Sequence, residues 1–460
     1  MKDICKIRDY RIIIPKEATM NERRAARFLQ EQIKLICGKT VPVLPDSTAP
    51  VDLEIAVGRT SRENADGLFS DRSPEGLWEY RIRKVGKRVY LSGMGLPEAG
   101  DQPYTSAYKL INDGAYGTVF AAYRFAEDVL NSPFLFSAYE EYPETPELVM
   151  PGELNIDYTK EALRAEKPAK IEGAAMWSVQ SSELLNWNMG CTILRTAGGK
   201  LIVVDGGHEA DAEHILSVLE SIAAPEKPVI EAWIFTHLHE DHYGVYKRIC
   251  LEPALAARIT VRHFYCHLLP EEFYTKLSKE ANPAQALNRN VLLQSGESLG
   301  AKVHTVEVGD EIVVDEMRFR VLHVPQMEYA TKMNMNDSSV VYRLDYDGKQ
   351  RILFLGDAEW VCSNDLLEHH ADELPSDVVM VGHHGCGNVS LPCYEKIGAK
   401  VAIWQIGNRF WYSDNGEGLN THNTGVIRTR AWLCELGIKR ENFLRDTNRI
   451  LSLPLPVPMK

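Results

Sequence analysis

The stretch IFTHLHEDHYG places three histidines and two carboxylates in six consecutive positions, beginning at His237. Neutral imidazole and carboxylate are the ligands that borderline divalent ions such as zinc prefer. The apolar run VIEAWIFT predicts a buried strand that ends at Thr236, so His237 and His239 should point the same way from a strand end. Asp241 and His242 then enter the next helix. We therefore predict that two pairs of ligands face two neighbouring ion positions.

Strands and helices are predicted on both sides of this cluster, from residue 171 onward. The stretch CTILRTAGGKLIVVDGG predicts a hairpin that turns at Gly198 and Gly199. The stretch EADAEHILSVLESI predicts a helix that buries one apolar face, formed by Ile215, Leu216, Val218, Leu219 and Ile222. Many strands with intervening helices, and ligand residues at strand ends, favour packed sheets covered by helices. The predicted fold class is therefore α/β.

The first 150 residues also alternate between strand and helix patterns. YRIIIP and LEIAVG predict strands, and WEYRIRKVGKRVYLSG predicts a hairpin around Gly86. One helix is expected to have Asn21 as its N-cap and to end at Gly38. A second long helix is expected to start near Gly114. These patterns predict a separate, smaller α/β domain.

Length and composition agree with more than one domain. The chain has 460 residues and a mass of 51.9 kDa, which is too long for one ordinary core. A stretch rich in Pro and Glu follows the first domain and predicts a linker, with the boundary near residue 170. We expect an α/β domain over residues 1–150, a linker over 151–170 and a second domain over 171–460.

Charge and cysteine content limit the partners and the compartment. The formal net charge is −13, so the surface as a whole repels phosphate backbones and acidic membranes. We therefore do not expect nucleic acid as a partner. We expect a small-molecule or saccharide-derived substrate. No stretch reaches the roughly 18 apolar residues that span a bilayer, and the first residues lack the apolar core of a signal peptide. Nine scattered cysteines without a CxxC pair predict reduced thiols and a cytoplasmic protein.

The second domain resembles the metallo-β-lactamase superfamily. The HxHxDH pattern of that family is met by His237, His239, Asp241 and His242. The resemblance implies an αββα sandwich, preceded here by the smaller α/β domain. It also implies bound metal, with two zinc ions expected and iron or manganese left open.

Three further motifs match the family in the same order along the chain. Asp205 in VVDGG corresponds to the aspartate that braces the metal loop, and Asp357 in ILFLGDAE to the carboxylate that bridges the ions. His383 in VGHHG corresponds to the last metal ligand. His384 and His422 match positions that lie beside the substrate in relatives, where either could donate a proton. The resemblance thus implies catalytic roles for Asp241, Asp357, His384 and His422.

Within the superfamily, NDSSVVYRLDYDGKQRILFLGDAE, VVMVGHHG and LNTHNTG resemble the hydrolase domain of bacterial DNA-uptake channel proteins and their phosphodiesterase and phosphorylcholine-esterase relatives. One position departs from the family pattern. Glyoxalase-like members carry a ligand histidine where this chain has Met327. The site that contains His237 should therefore lack one ligand, unless His323 or His267 supplies it.

The first 150 residues resemble the small α/β domain that precedes the catalytic barrel in bacterial α-glucuronidases and β-hexosaminidases. The stretches LEIAVGRT, YRIRKVGKRVYLSG and GAYGTVFAAYRFAEDVL carry this resemblance. In those enzymes the domain supports the barrel and does not cut the sugar. No barrel pattern follows it here.

The resemblance implies a metal-dependent hydrolase. A metal ion lowers the pKa of bound water from 15.7 to about 7, so a metal-bound hydroxide can attack without a strong base. A phosphodiester or phospho-ester is the first expected substrate. Two alternatives stay open: a hydrolase of an ester, lactone or amide on a sugar-derived substrate, and a non-catalytic carbohydrate-binding protein that keeps metal only for folding.

Overall fold

The computed structural model describes residues 5–68, 78–94, 116–132, 144–167, 172–276, 289–290, 292–294, 296, 299–422, 424–445 and 450–457. Two compact units make up the chain. The first contains Met1–Leu163 and Tyr412–Asn423, and the second contains Arg164–Trp411 and Thr424–Lys460. The first unit thus extends beyond the expected boundary of its domain at residue 150 and takes in a segment from far along the chain. The boundary expected near residue 170 falls on a position outside the described residues.

A six-stranded sheet forms the centre of the first unit. Its strands pair in the order β2-β1-β3-β5-β4-β6, and β4 runs antiparallel to both of its neighbours. The sequence predicted the hairpin of β4 and β5, which is confirmed. The strands are β1 (Arg11–Ile14), β2 (Val43–Pro45), β3 (Glu54–Val57), β4 (Tyr80–Val85), β5 (Arg88–Gly93) and β6 (Asn155–Tyr158), and the helices are α1 (Met20–Cys37), α2 (Ser61–Ala65) and α3 (Gly117–Asp128).

The stretch expected as a linker over residues 151–170 contains regular structure. Strand β6 lies in it, and helix α4 (Lys160–Ala165) contains the point where the first unit ends. The start expected for α3, Gly114, lies outside the described residues. A threonine caps helix α1, so the N-cap predicted at Asn21 is wrong. The Thr19 side chain accepts from the Glu22 backbone N–H while the Glu22 side chain accepts from the Thr19 backbone N–H, a reciprocal pair that satisfies two donors at the helix start.

Two seven-stranded sheets form the second unit, in the orders β12-β11-β10-β9-β8-β7-β20 and β13-β14-β15-β16-β17-β18-β19. The first sheet contains β7 (Ala175–Ser178), β8 (Cys191–Arg195), β9 (Leu201–Asp205), β10 (Val229–Ile234), β11 (Thr260–Cys266), β12 (Lys302–Thr305) and β20 (Ile450–Ser452). The second contains β13 (Glu311–Val314), β14 (Met317–His323), β15 (Val341–Tyr346), β16 (Gln350–Phe354), β17 (Val378–Met380), β18 (Val401–Ile403) and β19 (Phe443–Leu444).

Helices flank these sheets. They are α5 (Ala212–Ala223), α6 (Glu240–Leu251), α7 (Pro253–Ala256), α8 (Glu271–Lys276), α9 (Trp360–His369), α10 (Leu391–Ile397), α11 (Asn408–Trp411) and α12 (Val426–Glu435). Within the described part of the chain, none of the helices combines the length and the apolar character that crossing a bilayer requires.

Alternating burial along the strands accounts for the layers of the second unit. Ile202 and Val204 of β9 pack in the core between the two sheets. Leu201 and Val203, which point the other way, pack with apolar residues of α5 and α6 on the outer face. A sheet that is buried on both faces needs a covering layer on each side, and here the second sheet covers one face and helices cover the other. The αββα sandwich predicted from the sequence is therefore confirmed, with the smaller α/β unit before it.

A buried carboxylate holds residues 412–423 in the first unit. Asp414 accepts hydrogen bonds from the Tyr116 hydroxyl at 2.7 Å and from the Tyr123 hydroxyl at 2.9 Å. The backbone N–H of Gly416 also donates to it at 2.8 Å. Burial raises the pKa of Tyr116, and the Asp414 carboxylate raises it further, so the phenol stays protonated and can donate. These contacts explain why this segment belongs to the first unit.

The same unit surrounds another carboxylate with three arginines. Glu54 is fully buried, and its Oε1 accepts from Arg11 at 2.6 Å. Its Oε2 accepts from Arg62 at 3.0 Å and from Arg88 at 2.9 Å. Burial alone would raise the pKa of Glu54, but the hydrogen bonds from Arg62 and Arg11 lower it overall. Glu54 therefore links β1, β3, β5 and α2.

Glu54→Gln should destabilise the first unit by about 3 kcal/mol, because the buried guanidinium of Arg62 and the half-buried ones of Arg11 and Arg88 lose their shared carboxylate. Hydrogen exchange of peptides from β1 and β3, measured on the intact chain, reports this loss. The pKa of Glu54 is lowered on folding, so its contribution is present above the pKa of a free glutamate and is lost as the pH falls. The variant and the wild type should therefore converge in acid. Glu147→Gln, which removes exposed pairs with Lys6 and Arg8, is the matched control, and an equal loss of protection there would contradict the prediction.

Candidate metal centre

The predicted site residues lie at the carboxyl ends of parallel strands in both seven-stranded sheets. Strand β9 ends at Asp205, and the parallel strand β10 is followed by His237. In the other sheet, β16 is followed by Asp357 and the parallel strand β17 by His384. Carboxyl ends of parallel neighbours meet at the same edge of a sheet, which is where α/β proteins bind their ligands. The fold therefore brings together side chains that are far apart in sequence.

A first group of four residues could hold a metal ion, because its ligand atoms all lie within 4.8 Å of one another. The group consists of Asp241, His242, Asp357 and His384. His242 Nε2 is 3.1 Å from Asp357 Oδ1 and 3.3 Å from His384 Nε2. His384 Nε2 is also 3.3 Å from Asp241 Oδ2. Two imidazoles and two carboxylates form a donor set that suits zinc, iron or manganese.

A second group shares one residue with the first. It consists of His237, His239 and Asp357. His237 Nε2 is 3.1 Å from His239 Nδ1 and 3.7 Å from Asp357 Oδ2. Asp357 thus presents Oδ1 to the first group and Oδ2 to the second. This is the arrangement that a carboxylate needs in order to bridge two ions.

Asp205 orients His242 from behind. Its backbone has φ 57, in the left-handed region that residues with a side chain rarely adopt. Its Oδ2 is 2.9 Å from His242 Nδ1, and its Oδ1 accepts from the Thr236 backbone N–H at 2.8 Å. A carboxylate at Nδ1 leaves Nε2 as the ligand atom of that histidine. Asp205 therefore ties the strand end before the HxHxDH segment to the orientation of its last histidine.

A backbone carbonyl orients His384 in the same way. Its Nδ1 lies 2.7 Å from the Gln405 carbonyl oxygen. A carbonyl only accepts, so the proton of the neutral ring lies on Nδ1 and Nε2 is the free ligand atom. Gln405 follows strand β18, which is parallel to β17. A third parallel strand therefore contributes to the site.

Two glycines permit the close packing around the centre. A Cβ at Gly190 would lie 2.4 Å from His242 Nδ1, so a larger residue would displace the ring. A Cβ at Gly356 would lie 2.8 Å from the Thr236 Cβ, and its φ of +53 also favours glycine. Gly356 directly precedes Asp357 and so sets how closely the two sheets approach at this point.

Burial and mutual charge set the protonation of the cluster. Burial lowers the pKa of His237 well below its usual value, so that ring is neutral. Burial alone would raise the pKa of Asp357, but the rings of His242 and His384 hold it well below its usual range. Burial opposes the charged form of His242, yet Asp357 and Asp205 raise its pKa well above its usual value. The carboxylates therefore require positive charge beside them, which a divalent cation would supply.

The structure favours His384 over His383 as the last ligand. The sequence analysis assigned this role to His383, but the four-residue group contains His384. His383 Nδ1 lies 2.9 Å from Glu359 Oε1, and its Nε2 lies 3.8 Å from Asp357 Oδ2. Both histidines have positive φ, 47 and 52, so strand alternation does not continue into this turn. The spacing of the doublet could not show which ring faces the centre.

Sequence reasoning missed the partners of His383. Glu359 Oε1 also lies 3.2 Å from Asn336 Nδ2, and Asn336 Nδ2 is 3.3 Å from His383 Nε2. Glu359 lies two positions after Asp357 in GDAE, so its closeness in sequence could have indicated that it lies near the site. Asn336 lies in a short 3-10 turn, Asn336–Ser338, and nothing in its local sequence marks it.

The residues considered for the missing ligand lie elsewhere. Met327 packs against the apolar core at the outer face of the first sheet of the second unit. His323 Nδ1 lies 2.6 Å from Asp365 Oδ2, and His267 Nδ1 lies 2.7 Å from the Val306 carbonyl. Among the described residues, neither histidine belongs to a ligand group. In the part of the chain that the structure describes, the candidate group around His237 has three members and the group around His242 has four. That the two sites differ in their number of ligands stays a prediction.

His422 lies in the segment 412–423, which belongs to the first unit. The ligand groups lie in the second unit. Its role as a proton donor therefore stays a prediction.

A cavity of about 20 Å³ lies beside the first ligand group and is lined by residues that include Asp205, His242, Asp357 and His384. A cavity of this size has room for about one water molecule.

A model of the metallo-beta-lactamase superfamily matches residues 191–385, which contain both ligand groups. ComE operon protein 3 of Bacillus subtilis (strain 168) is 26% identical over 207 residues, which are 44% of this chain and 23% of that protein. The chain thus matches less than a quarter of the length of this relative.

Two solved structures also align with the chain at low similarity. The metallo-beta-lactamase fold protein YhfI from Bacillus subtilis has a TM-score of 0.34 at 11% identity, over 61% of this chain and 99% of YhfI. CmlA, a diiron beta-hydroxylase from Streptomyces venezuelae, has a TM-score of 0.37 at 14% identity, over 62% of this chain and 55% of CmlA. The family match over residues 191–385, the HxHxDH segment at a strand end and the αββα layers agree with one another, and together they show that the second unit is similar to the metallo-β-lactamase superfamily.

Proposed function

We propose that the protein is a metal-dependent hydrolase that cleaves a phosphodiester or phospho-ester with two bound divalent ions, which we expect to be zinc. The observation that carries the proposal is the position of Asp357, which belongs to both ligand groups and presents a different oxygen to each. Two neighbouring ions can stabilise the attacking and the leaving oxygen of an in-line displacement at phosphorus. When bound, they lower the pKa of a coordinated water from 15.7 to about 7 and so supply hydroxide.

The side chains would divide the work as follows. His237 and His239 would hold one ion, while Asp241, His242 and His384 would hold the other. Asp357 would hold both, and Asp205 would keep His242 Nε2 turned toward the centre.

His383 is the better candidate for proton donation to the leaving group, because His384 uses its Nε2 in the ligand group. The Nε2 of His383 lies 3.8 Å from Asp357 Oδ2. The Nδ1 of His383 donates a hydrogen bond to Glu359 Oε1. His422 stays a second candidate for this role, as the sequence analysis proposed. Comparing His383→Gln with His422→Gln on one substrate would separate the two assignments.

A purely structural role for the metal fits the site less well. A structural zinc is closed by four ligands, whereas here two groups share one carboxylate. Hydrolysis of an ester, lactone or amide on a sugar-derived substrate remains the second candidate. A panel of chromogenic phosphodiesters, esters and lactones decides between these substrates.

Titration of the metal-free protein with zinc should show two binding steps. The four-residue group should bind more tightly than the three-residue group because it supplies more ligands. His384→Ala should remove the tighter step and His237→Ala the weaker one. His383→Ala is the matched control for the doublet: it removes a neighbour that is not in either group, so both steps should remain.

A chromogenic chelator in competition with the protein measures these affinities. Losing a ligand should weaken the affected step by more than the roughly 10–100-fold that the loss of a ligand's orienting partner costs. Loss of a step in His383→Ala, with both steps kept in His384→Ala, would restore the assignment made from the sequence.

Asp357→Ala should lower the rate on bis(p-nitrophenyl) phosphate by about three orders of magnitude or more, because the shared ligand of both ions is lost. Circular dichroism should show an unchanged fold. Asp372→Ala is the control, since that carboxylate is fully exposed and pairs only with Lys396 among the described residues. Activity of Asp357→Ala within tenfold of the wild type would refute the bridging role.

A further inference from the structure

We propose that Trp187, Arg409 and Phe410 form a binding surface for the substrate, and that its ligand is the planar aromatic base of a phosphate ester such as a nucleotide. The proposal deepens the proposed function and rests on it. The surface consists of three side chains of the second unit. It would hold the organic part of the substrate while the metal centre holds the phosphate.

Exposure and stacking define this surface. Trp187 is 50% exposed, so half of its side chain is accessible to a ligand. The Arg409 guanidinium carbon lies 5.7 Å from the Trp187 ring centroid and 5.3 Å from that of Phe410. The two ring centroids are 6.1 Å apart and tilted by 54°. Arg409 thus contacts both rings and fixes them relative to each other.

The loop that carries Trp187 also reaches the metal centre. Three residues beyond it, Gly190 packs so closely on His242 that a Cβ there would lie 2.4 Å from the ring. Between them, the Asn188 side chain donates to Cys386 Sγ at 3.6 Å, two positions after His384. The exposed tryptophan is therefore linked to the ligand groups by a short stretch of packed chain.

The segment that carries Arg409 is fixed to the same loop. A Cβ at Gly407 would lie 2.4 Å from the Asn186 carbonyl oxygen, so the two backbones are in direct contact. The Gly407 N–H donates to Asn188 Oδ1 at 3.2 Å. This segment begins with Gln405, whose carbonyl orients His384. Both halves of the surface are thus built on the loops that position the metal ligands.

The chemistry of these groups selects a planar aromatic ring. The face of a tryptophan stacks on any nucleobase. A guanidinium that lies against two aromatic rings adds a planar group that can also stack on a base. The metal centre, whose ligands are positioned by the same loops, would hold the phosphate of such an ester.

Calorimetry on the zinc-loaded protein tests the surface without turnover. The wild type should bind thymidine 5′-monophosphate about tenfold more tightly than 2-deoxyribose 5-phosphate, the same molecule without its base. Trp187→Ala should abolish this preference, and Trp187→Phe should retain most of it because a ring remains. Trp360→Ala is the matched control: Trp360 is 60% exposed, and no arginine lies over it among the described residues. Zinc content should be equal in all four proteins.

Equal affinity of the wild type for the two phosphates would overturn the proposal. A preference that Trp187→Ala leaves intact would overturn it as well. A Trp187-dependent gain for deoxyribose 5-phosphate over inorganic phosphate, with nothing added by the base, would identify a sugar surface and also refute it.

Kinetics separate this proposal from the proposed function. Thymidine 5′-(p-nitrophenyl phosphate) and methyl p-nitrophenyl phosphate release the same leaving group, so their kcat/KM ratio reports the retained base. The ratio should be about ten in the wild type and about one in Trp187→Ala, with the methyl ester unaffected. Hydrolysis of both esters at equal rates would refute the binding surface and leave the proposed function standing. A binding preference for the base without hydrolysis of either ester would refute the proposed function and leave the binding surface standing.

Discussion

A carboxylate from which water is excluded must be surrounded by positive charge or by protons, and Asp357 meets this constraint with four imidazoles. The rings of His237, His242, His383 and His384 all lie within 3.8 Å of its oxygens. An isolated buried anion would cost several kcal/mol. The surrounding chain therefore places imidazoles around this one carboxylate, and the same arrangement could hold divalent ions.

The placement of these imidazoles around Asp357 depends on the order of the strands more than on any single loop. Each sheet contributes parallel neighbours whose carboxyl ends meet at one edge, so a candidate ligand needs only to lie within the few residues after its strand. The rigid strands fix the positions, while Asp205 and the Gln405 carbonyl fix which ring nitrogen faces inward. The apolar core between the sheets then supports the site from below. Stability and chemistry thus depend on the same layered packing.

The ligand residues just after the strands were predictable because the HxHxDH pattern is specific. Strand and helix patterns indicated packed sheets covered by helices, and the αββα order of the layers came from the resemblance to the metallo-β-lactamase superfamily. Which of His383 and His384 faces the candidate metal centre was not predictable. Both residues lie in a turn with positive φ, where the alternating side-chain directions of a strand do not continue. The capping box at Thr19 could have been read from TMNE, whereas the contact of Asp414 with Tyr116 joins residues 298 positions apart and leaves no local signal.

The docking of residues 412–423 on the first unit means that the chain passes between its two units three times, after residues 163, 411 and 423. A single cut at any one of these points leaves at least one unit divided between the two pieces. A gene fragment that starts at residue 164 would encode Asp414 without the phenols of Tyr116 and Tyr123. Exchange of the first unit between related genes would likewise require a matching loop more than 200 residues downstream, so the two units are expected to be inherited as one module.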